Sequence, residues 1–219
     1  IGEKLKAEIS TQYYFDAPAS NLPVHWALYE DKGYFNIPGY AVGNLDLSWM
    51  DYESFGGYYG DILGQGEGFT NAEGLFSLNL DTRDASEGTR ELTLEVSAID
   101  DNNQWISDRL TTTLHPDEFY IGLKSDSWVG REETEMGFDV LTVDWNTDPR
   151  ATQNLHATFK RVTWERQNTG TAYENVTYVP TFNPASEVDL ATGKDGAARL
   201  AFTPPDPGTY ILEVSSGKA

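Results

Sequence analysis

The sequence predicts an all-β protein of two β-sandwich domains in tandem, and three observations lead there. The first is an internal repeat. Thr70-Asn-Ala-Glu-Gly74 runs into LFSLNL and then LTLEVSA, while Thr192-Gly-Lys-Asp-Gly196 runs into AARLAF and then YILEVSS. The two copies lie about 120 residues apart, the length of one compact domain. The second observation is alternation: apolar residues recur at every other position in short runs, the period of a half-buried strand. The third is that ten prolines, twenty glycines and the lack of any long 3.6-period segment leave little room for helices.

Each element follows in order. Lys4 to Tyr14 alternates through Leu5, Ala7 and Ile9, and Asp16 to Asn21 is a turn around Pro18. Leu22 to Tyr29 is the next strand, where Pro23 belongs at an edge or at the strand's start. Gly33 to Gly68 breaks the pattern with nine glycines and many aromatics, among them Tyr34, Phe35, Tyr40, Trp49, Tyr52, Phe55, Tyr58 and Tyr59. It reads as an aromatic-rich excursion between two strands. Gly74 to Leu80, Arg90 to Ile99 and Gln104 to Leu114 are strands, the last two joined by a hairpin turn at Asp100-Asp-Asn-Asn103. His115-Pro116-Asp117 marks the boundary, giving domains at 1–115 (with the excursion at about 33–68) and 116–219. Phe119 to Leu123, Gly137 to Trp145 and Asn154 to Glu165 are the strands that follow. The polar stretch from Arg166 to Ala191 holds one or two weaker strands or a long loop, and the second copy of the repeat closes the chain. After the first LEVS a hairpin and another strand follow, whereas after the second only Ser216 to Ala219 remain. The second domain is therefore expected to lack its last strand, leaving an open edge.

Composition excludes several functions. The formal net charge is −20, with 35 acidic residues against 15 Lys and Arg. Phosphate recognition needs clustered cations, so nucleic acid and anionic lipid are disfavoured partners. There is no cysteine, which fits a bacterial or cytosolic chain better than a eukaryotic secreted one. No apolar run reaches the ~20 residues of a membrane span, so direct membrane insertion by these residues is not expected. The start at Ile1, in mid-pattern, suggests a piece of a longer polypeptide.

No catalytic constellation stands out. His25, His115 and His156 are far apart in sequence and none has metal-ligand spacing to another. No thiolate nucleophile, nucleophile elbow or phosphate loop is present. Asp100 and Asp101, with Asn102 and Asn103, offer oxygens to calcium, but Asp-Asn runs are ordinary hairpin turns and the spacing is not that of a calcium loop. Neither a metal nor a cofactor is expected. Glu132, Glu133 and Glu135 read as a solvated loop, and Asn175-Val-Thr177 is a glycosylation sequon only in a eukaryotic secretory pathway. The candidate binding surface is Trp49, Tyr52, Tyr58 and Tyr59, whose ring faces can stack on sugars or anchor a protein. Their bland alternative is filling space beneath a long loop.

Tyr13-Tyr-Phe15-Asp-Ala-Pro18-Ala-Ser-Asn21-Leu-Pro-Val24 resembles the Tyr-x-(Tyr/Phe)-Gly-x-Pro-(small) opening of macroglobulin-like domains in bacterial alpha-2-macroglobulins, with Asp16 where that family has Gly. Ile37-Pro38-Gly39-Tyr40, HPDEFYIGL at 115–123 and PPDPGTYILEV at 204–214 are similar to segments of the same family. The resemblance implies two fibronectin-like or immunoglobulin-like sandwiches of seven strands each, from the middle of a longer chain. It implies a non-catalytic scaffold of a broad-spectrum protease inhibitor. In full-length members a bait segment is cleaved, the molecule changes shape, and a thioester often links the protease. The thioester's Cys-Gly-Glu-Gln is not in these residues, and the 166–191 stretch is either bait-like or a loop. The implied partners are neighbouring domains and, through the full-length protein, target proteases. The implied location is periplasmic or at a bacterial cell surface. The alternative is a cell-surface adhesin or carbohydrate-binding module that uses the aromatic segment.

Overall fold

A computed structural model of the protein describes residues 4–43, 60–82, 88–100, 102–168 and 176–216. The described residues form thirteen strands and no helix, so the all-β expectation holds. They divide into two compact units. Unit 1 is Ile1–Phe35 with Gly43–Asp117, and unit 2 is Asn36–Val42 with Glu118–Ala219.

In unit 1 the strands are β1 (Lys4–Ser10), β2 (Pro23–Lys32), β4 (Asp61–Phe69), β5 (Leu75–Asp81), β6 (Arg90–Ile99) and β7 (Trp105–Leu114), while β3 (Ala41–Val42) belongs to unit 2. β1 pairs with β5, and a second antiparallel sheet runs β4-β2-β6-β7. The period-2 pattern sends Leu28, Leu78, Leu80, Leu92, Leu94 and Leu114 into a common core against Leu5, Ala7 and Ile9. Pro23 opens β2, where a missing N–H costs least. The glycine-rich end of the sequence excursion is itself a strand, β4. Its Gly66 and Gly68 are spacers: a Cβ would meet the Trp26 indole at 2.9 Å and the Phe76 ring at 2.3 Å respectively. Glycine there disguised a strand because the bulk comes from neighbouring strands.

Unit 2 holds β8 (Tyr120–Ser125), β9 (Met136–Val143), β10 (Asn154–Asn168), β11 (Val176–Ala191), β12 (Ala197–Phe202) and β13 (Thr209–Ser216). One sheet runs β12-β9-β8-β3 and the other β11-β10-β13. Val140, Leu155, Ala157, Phe159, Leu200 and Phe202 form the core. β3 arrives through a turn at Ile37-Pro-Gly-Tyr40, with Gly39 at φ +81 and the Tyr40 N–H donating to the Ile37 carbonyl at 3.0 Å. It lies on β8, where Gly122 has no side chain to obstruct Ile37 and Tyr40. Of the polar 166–191 stretch, the described residues are the end of β10, to Asn168, and β11, a long strand paired with β10. Pro180 and Pro184 are tolerated because β11 has only one neighbour among the described residues.

The repeat proves to be a three-dimensional node. Gly74 and Gly196 turn at φ +74 and +72. Their carbonyls accept the N–H of Thr11 at 2.8 Å and of Thr142 at 2.9 Å. Thr70 and Thr192 are buried, their hydroxyl oxygens accepting the N–H of Leu22 and of Gln153, both at 2.9 Å. The node extends to a proline turn at Asp144–Thr152, which matches the turn before β2 in geometry and not in residues. Gln12 bridges Pro18 as Val143 bridges Pro149, and Asp16 and Thr147 both sit in the left-handed region, at φ 65 and 69. Asp16 thus occupies a backbone position that favours glycine, which explains the glycine of the family pattern. β-Branched Thr147 is the more strained of the two. Thr147→Gly is expected to stabilise unit 2 by about 1 kcal/mol, read as a higher urea midpoint.

The repeat equates β1, β2, β4, β5 and β6 of unit 1 with β9, β10, β11, β12 and β13 of unit 2. β6 carries β7 on its outer edge, whereas β13 pairs only with β10 among the described residues. Among the described residues no strand stands to β13 as β7 stands to β6.

Candidate functional site

Among the described residues of unit 1, a shallow groove of about 850 Å³ lies on the outward face of the β4-β2-β6-β7 sheet. The odd-numbered residues of β2 and β6 point there because their even-numbered neighbours fill the core. Register places Glu67, His25, Ser97 and Ser107 in one row across four strands. His25 Nδ1 lies 3.2 Å from Glu67 Oε1, and its ring packs on Trp105 with centroids 5.5 Å apart and planes tilted by 32°. Arg109 faces Glu95 beside them.

An acid, an imidazole and a serine in a row invite comparison with a hydrolase. An acyl transfer needs N–H groups aimed at a developing oxyanion, but β2 and β6 are paired on both sides and their N–H groups are committed to the ladders. With Glu67 largely exposed, the His25–Glu67 contact is a surface pair of the kind that contributes about 0–1 kcal/mol. The sequence offered no signal for this row, since its members come from four separate strands.

The sequence-derived candidates fare as follows. Trp49, Tyr52, Tyr58 and Tyr59 lie outside the described residues, as does Asp101. Asp100 spends its carboxylate on the turn: Oδ1 accepts the N–H groups of Asn102 at 2.9 Å and Gln104 at 2.8 Å. Asn103 completes the hairpin at φ 63. Each histidine has its own partners. His156 Nδ1 meets Asp189 at 2.7 Å on the β10–β11 face. His115 presents its ring edge-on to Phe35, with centroids 6.3 Å apart, and burial lowers its pKa below the ordinary histidine value. Among the described residues no group of three His, Cys, Asp or Glu side chains is placed to hold a metal ion. No described helix is long and apolar enough to cross a membrane. Of the other aromatics of the excursion, Tyr34 is exposed with the Lys32 ammonium 5.7 Å from its ring centroid.

Comparison with known proteins gives two kinds of match. Residues 122–219 match the family model described as bacterial macroglobulin domain 6. No curated protein matches the chain in sequence. Among solved structures, Salmonella alpha-2-macroglobulin reacted with methylamine is similar over 99% of this chain, at 14% identity and a TM-score of 0.62. Escherichia coli alpha-2-macroglobulin activated by porcine elastase is similar over 99% of the chain, at 15% identity and a TM-score of 0.64. The native conformation of the E. coli protein gives 99%, 14% and 0.62. At such identities the likeness is one of fold. The chain spans 15%, 19% and 14% of these three proteins, less than a fifth of each.

Proposed function

We propose, for a chain made of macroglobulin-like domains of the bacterial alpha-2-macroglobulin kind, that it is a non-catalytic scaffold segment of a protease-trapping inhibitor. The observation that carries this reading is the family match at 122–219, set in a fold that follows solved alpha-2-macroglobulins over 99% of the chain. The physical structure supports it. Each unit has its own apolar core, and the two central strands of the β4-β2-β6-β7 sheet hold their backbone N–H groups in its ladders. What such units offer is stiffness: close-packed sandwiches transmit displacement because their interiors do not compress.

In this reading the neighbours are further domains of the same polypeptide, and proteases are met only through the full-length protein. The setting is extracytoplasmic, periplasmic or at the cell surface. The test is to mix the full-length protein with trypsin. The expected result is a complex on size-exclusion chromatography, with hydrolysis of a large protein substrate suppressed while a small peptide amide is still cut. Unchanged cleavage of both substrates, with no complex, would overturn the reading.

A further inference from the structure

The groove on the β4-β2-β6-β7 sheet has a defined floor and a defined chemistry. All four strands are described from end to end, so the face is built wholly from described residues. Ala27 is the smallest outward side chain of β2 and lies between the rings of His25 and Tyr29 on the same face. Register sets Gln65 on one side of Ala27 and Glu95, then Arg109, on the other. That row is the floor, crossing four strands at ~4.8 Å spacing, and the two rings are its walls.

The polar side chains of the groove are not engaged with one another. Among the described residues, Gln65, Glu95, Ser97, Ser107 and Arg109 make no side-chain hydrogen bond or ion pair. Thr93 and Thr111, in the next row, do bond each other, with their hydroxyl oxygens 3.2 Å apart. The groove therefore offers both kinds of hydrogen-bonding group. Arg109 only donates, Glu95 only accepts, and the amide and hydroxyls do both. A sugar hydroxyl is likewise donor and acceptor, and the C–H face of a pyranose packs on an aromatic ring.

Charge and backbone narrow the class of ligand. On the floor Glu95 and Arg109 face each other and balance, which suits an uncharged molecule. Glu67, beside His25, disfavours an anion. An added peptide strand needs backbone partners, and those of β2 and β6 are committed to the ladders on both sides.

We propose that this groove binds a neutral oligosaccharide, laid across the strands with a pyranose C–H face on a wall ring and hydroxyls on Gln65, Glu95, Ser97 and Arg109. Trp105, packed on His25 and 59% exposed, extends the stacking surface beside it. The inference goes beyond the trapping reading and does not depend on it.

The test is a nuclear magnetic resonance titration of the isotope-labelled chain with maltohexaose, with cellohexaose and, as an anionic counterpart, with hexagalacturonate. The expected result is binding of at least one neutral sugar with a Kd of about 1 mM. The shifts should be confined to the groove and its edge, at the Gln65 side-chain amide, the Arg109 Nε–H and the Trp105 indole N–H. Ala27→Leu fills the floor and Arg109→Ala removes a charged donor, so each should weaken binding about tenfold. Both positions face outward, so the spectra of the core residues should not change. Thr113→Ala, on the same face beyond the groove, should leave binding intact. Absence of shifts with both neutral sugars would overturn the proposal, as would tighter binding of hexagalacturonate or undiminished binding by Ala27→Leu. Equal shifts at Trp128, which is 99% exposed in unit 2, would assign the effect to unspecific ring stacking and overturn it too. So would groove shifts on raising the protein concentration alone, which would assign the face to a second copy.

Discussion

Phe159→Ala is expected to cost unit 2 about 3–5 kcal/mol, the range for truncating a fully buried aromatic. Phe159 is 2% exposed at the centre of its core. Its ring stacks on Phe202 with centroids 4.3 Å apart and planes within 7°, and Phe138 stands 5.4 Å away. Phe202 in turn meets Tyr210 at 5.2 Å. The four rings come from β9, β10, β12 and β13, so deleting one leaves a cavity that both sheets must collapse to fill. Offset ring pairs add about 0.5–1.5 kcal/mol beyond burial. Against a domain stability of about 5–15 kcal/mol, the loss should show as a large drop in the urea midpoint of the unit 2 transition. Phe182→Ala, at a 39% exposed position on β11, serves as the control and should change the midpoint little.

Gly196→Ala is the second large effect, at about 3–4 kcal/mol, and it acts through the backbone. At φ +72 any side chain is strained, by about 1–2 kcal/mol. The added Cβ would also sit 2.5 Å from the Thr142 carbonyl oxygen and 3.2 Å from the Arg150 nitrogen. Those two atoms form a 2.8 Å hydrogen bond with each other, so the methyl group drives a wedge into the node. Gly74→Ala should do the same to unit 1, where the Cβ would lie 2.4 Å from the Thr11 oxygen. Gly39 separates the two contributions. It too has positive φ, +81, but nothing lies within 4 Å of its would-be Cβ, so Gly39→Ala should cost only the backbone strain. Thermal or urea unfolding of the three variants side by side checks the comparison.

The node also explains why the fold was so legible. Thr-x-x-x-Gly is a demanding local motif: a buried hydroxyl and a left-handed glycine serve several backbone partners at once. A motif that tightly specified survives as a readable phrase in both units, whereas surface positions carry no such constraint. Alternation gave the strands of both cores because one face is apolar and the other wet. What stayed hidden had physical causes. β4 was masked by glycines that make room for Trp26 and Phe76. β11 was masked by prolines and polar residues, which an edge strand tolerates. The proline turn at Asp144–Thr152 repeats the geometry of Tyr13–Asn21 with almost none of its residues, because hydrogen bonding of the backbone sets it.

The candidate site was far less legible than the fold. The Glu67–His25–Ser97–Ser107 row exists only through cross-strand register, which no single run of sequence contains. Asp100 was legible as a turn residue, and its carboxylate is used as one.

A scaffold role predicts that trapping depends on the integrity of these units and not on any single surface side chain. The direct measurement is made in the full-length protein, comparing wild type with Gly196→Val, a variant whose unit 2 is confirmed unfolded by urea titration. Each is mixed with trypsin, chain cleavage is followed by gel, and residual digestion of a large protein substrate is assayed. The variant should be cleaved yet leave trypsin free to digest the large substrate, while wild type suppresses that digestion. Equal suppression by both proteins would contradict the scaffold role.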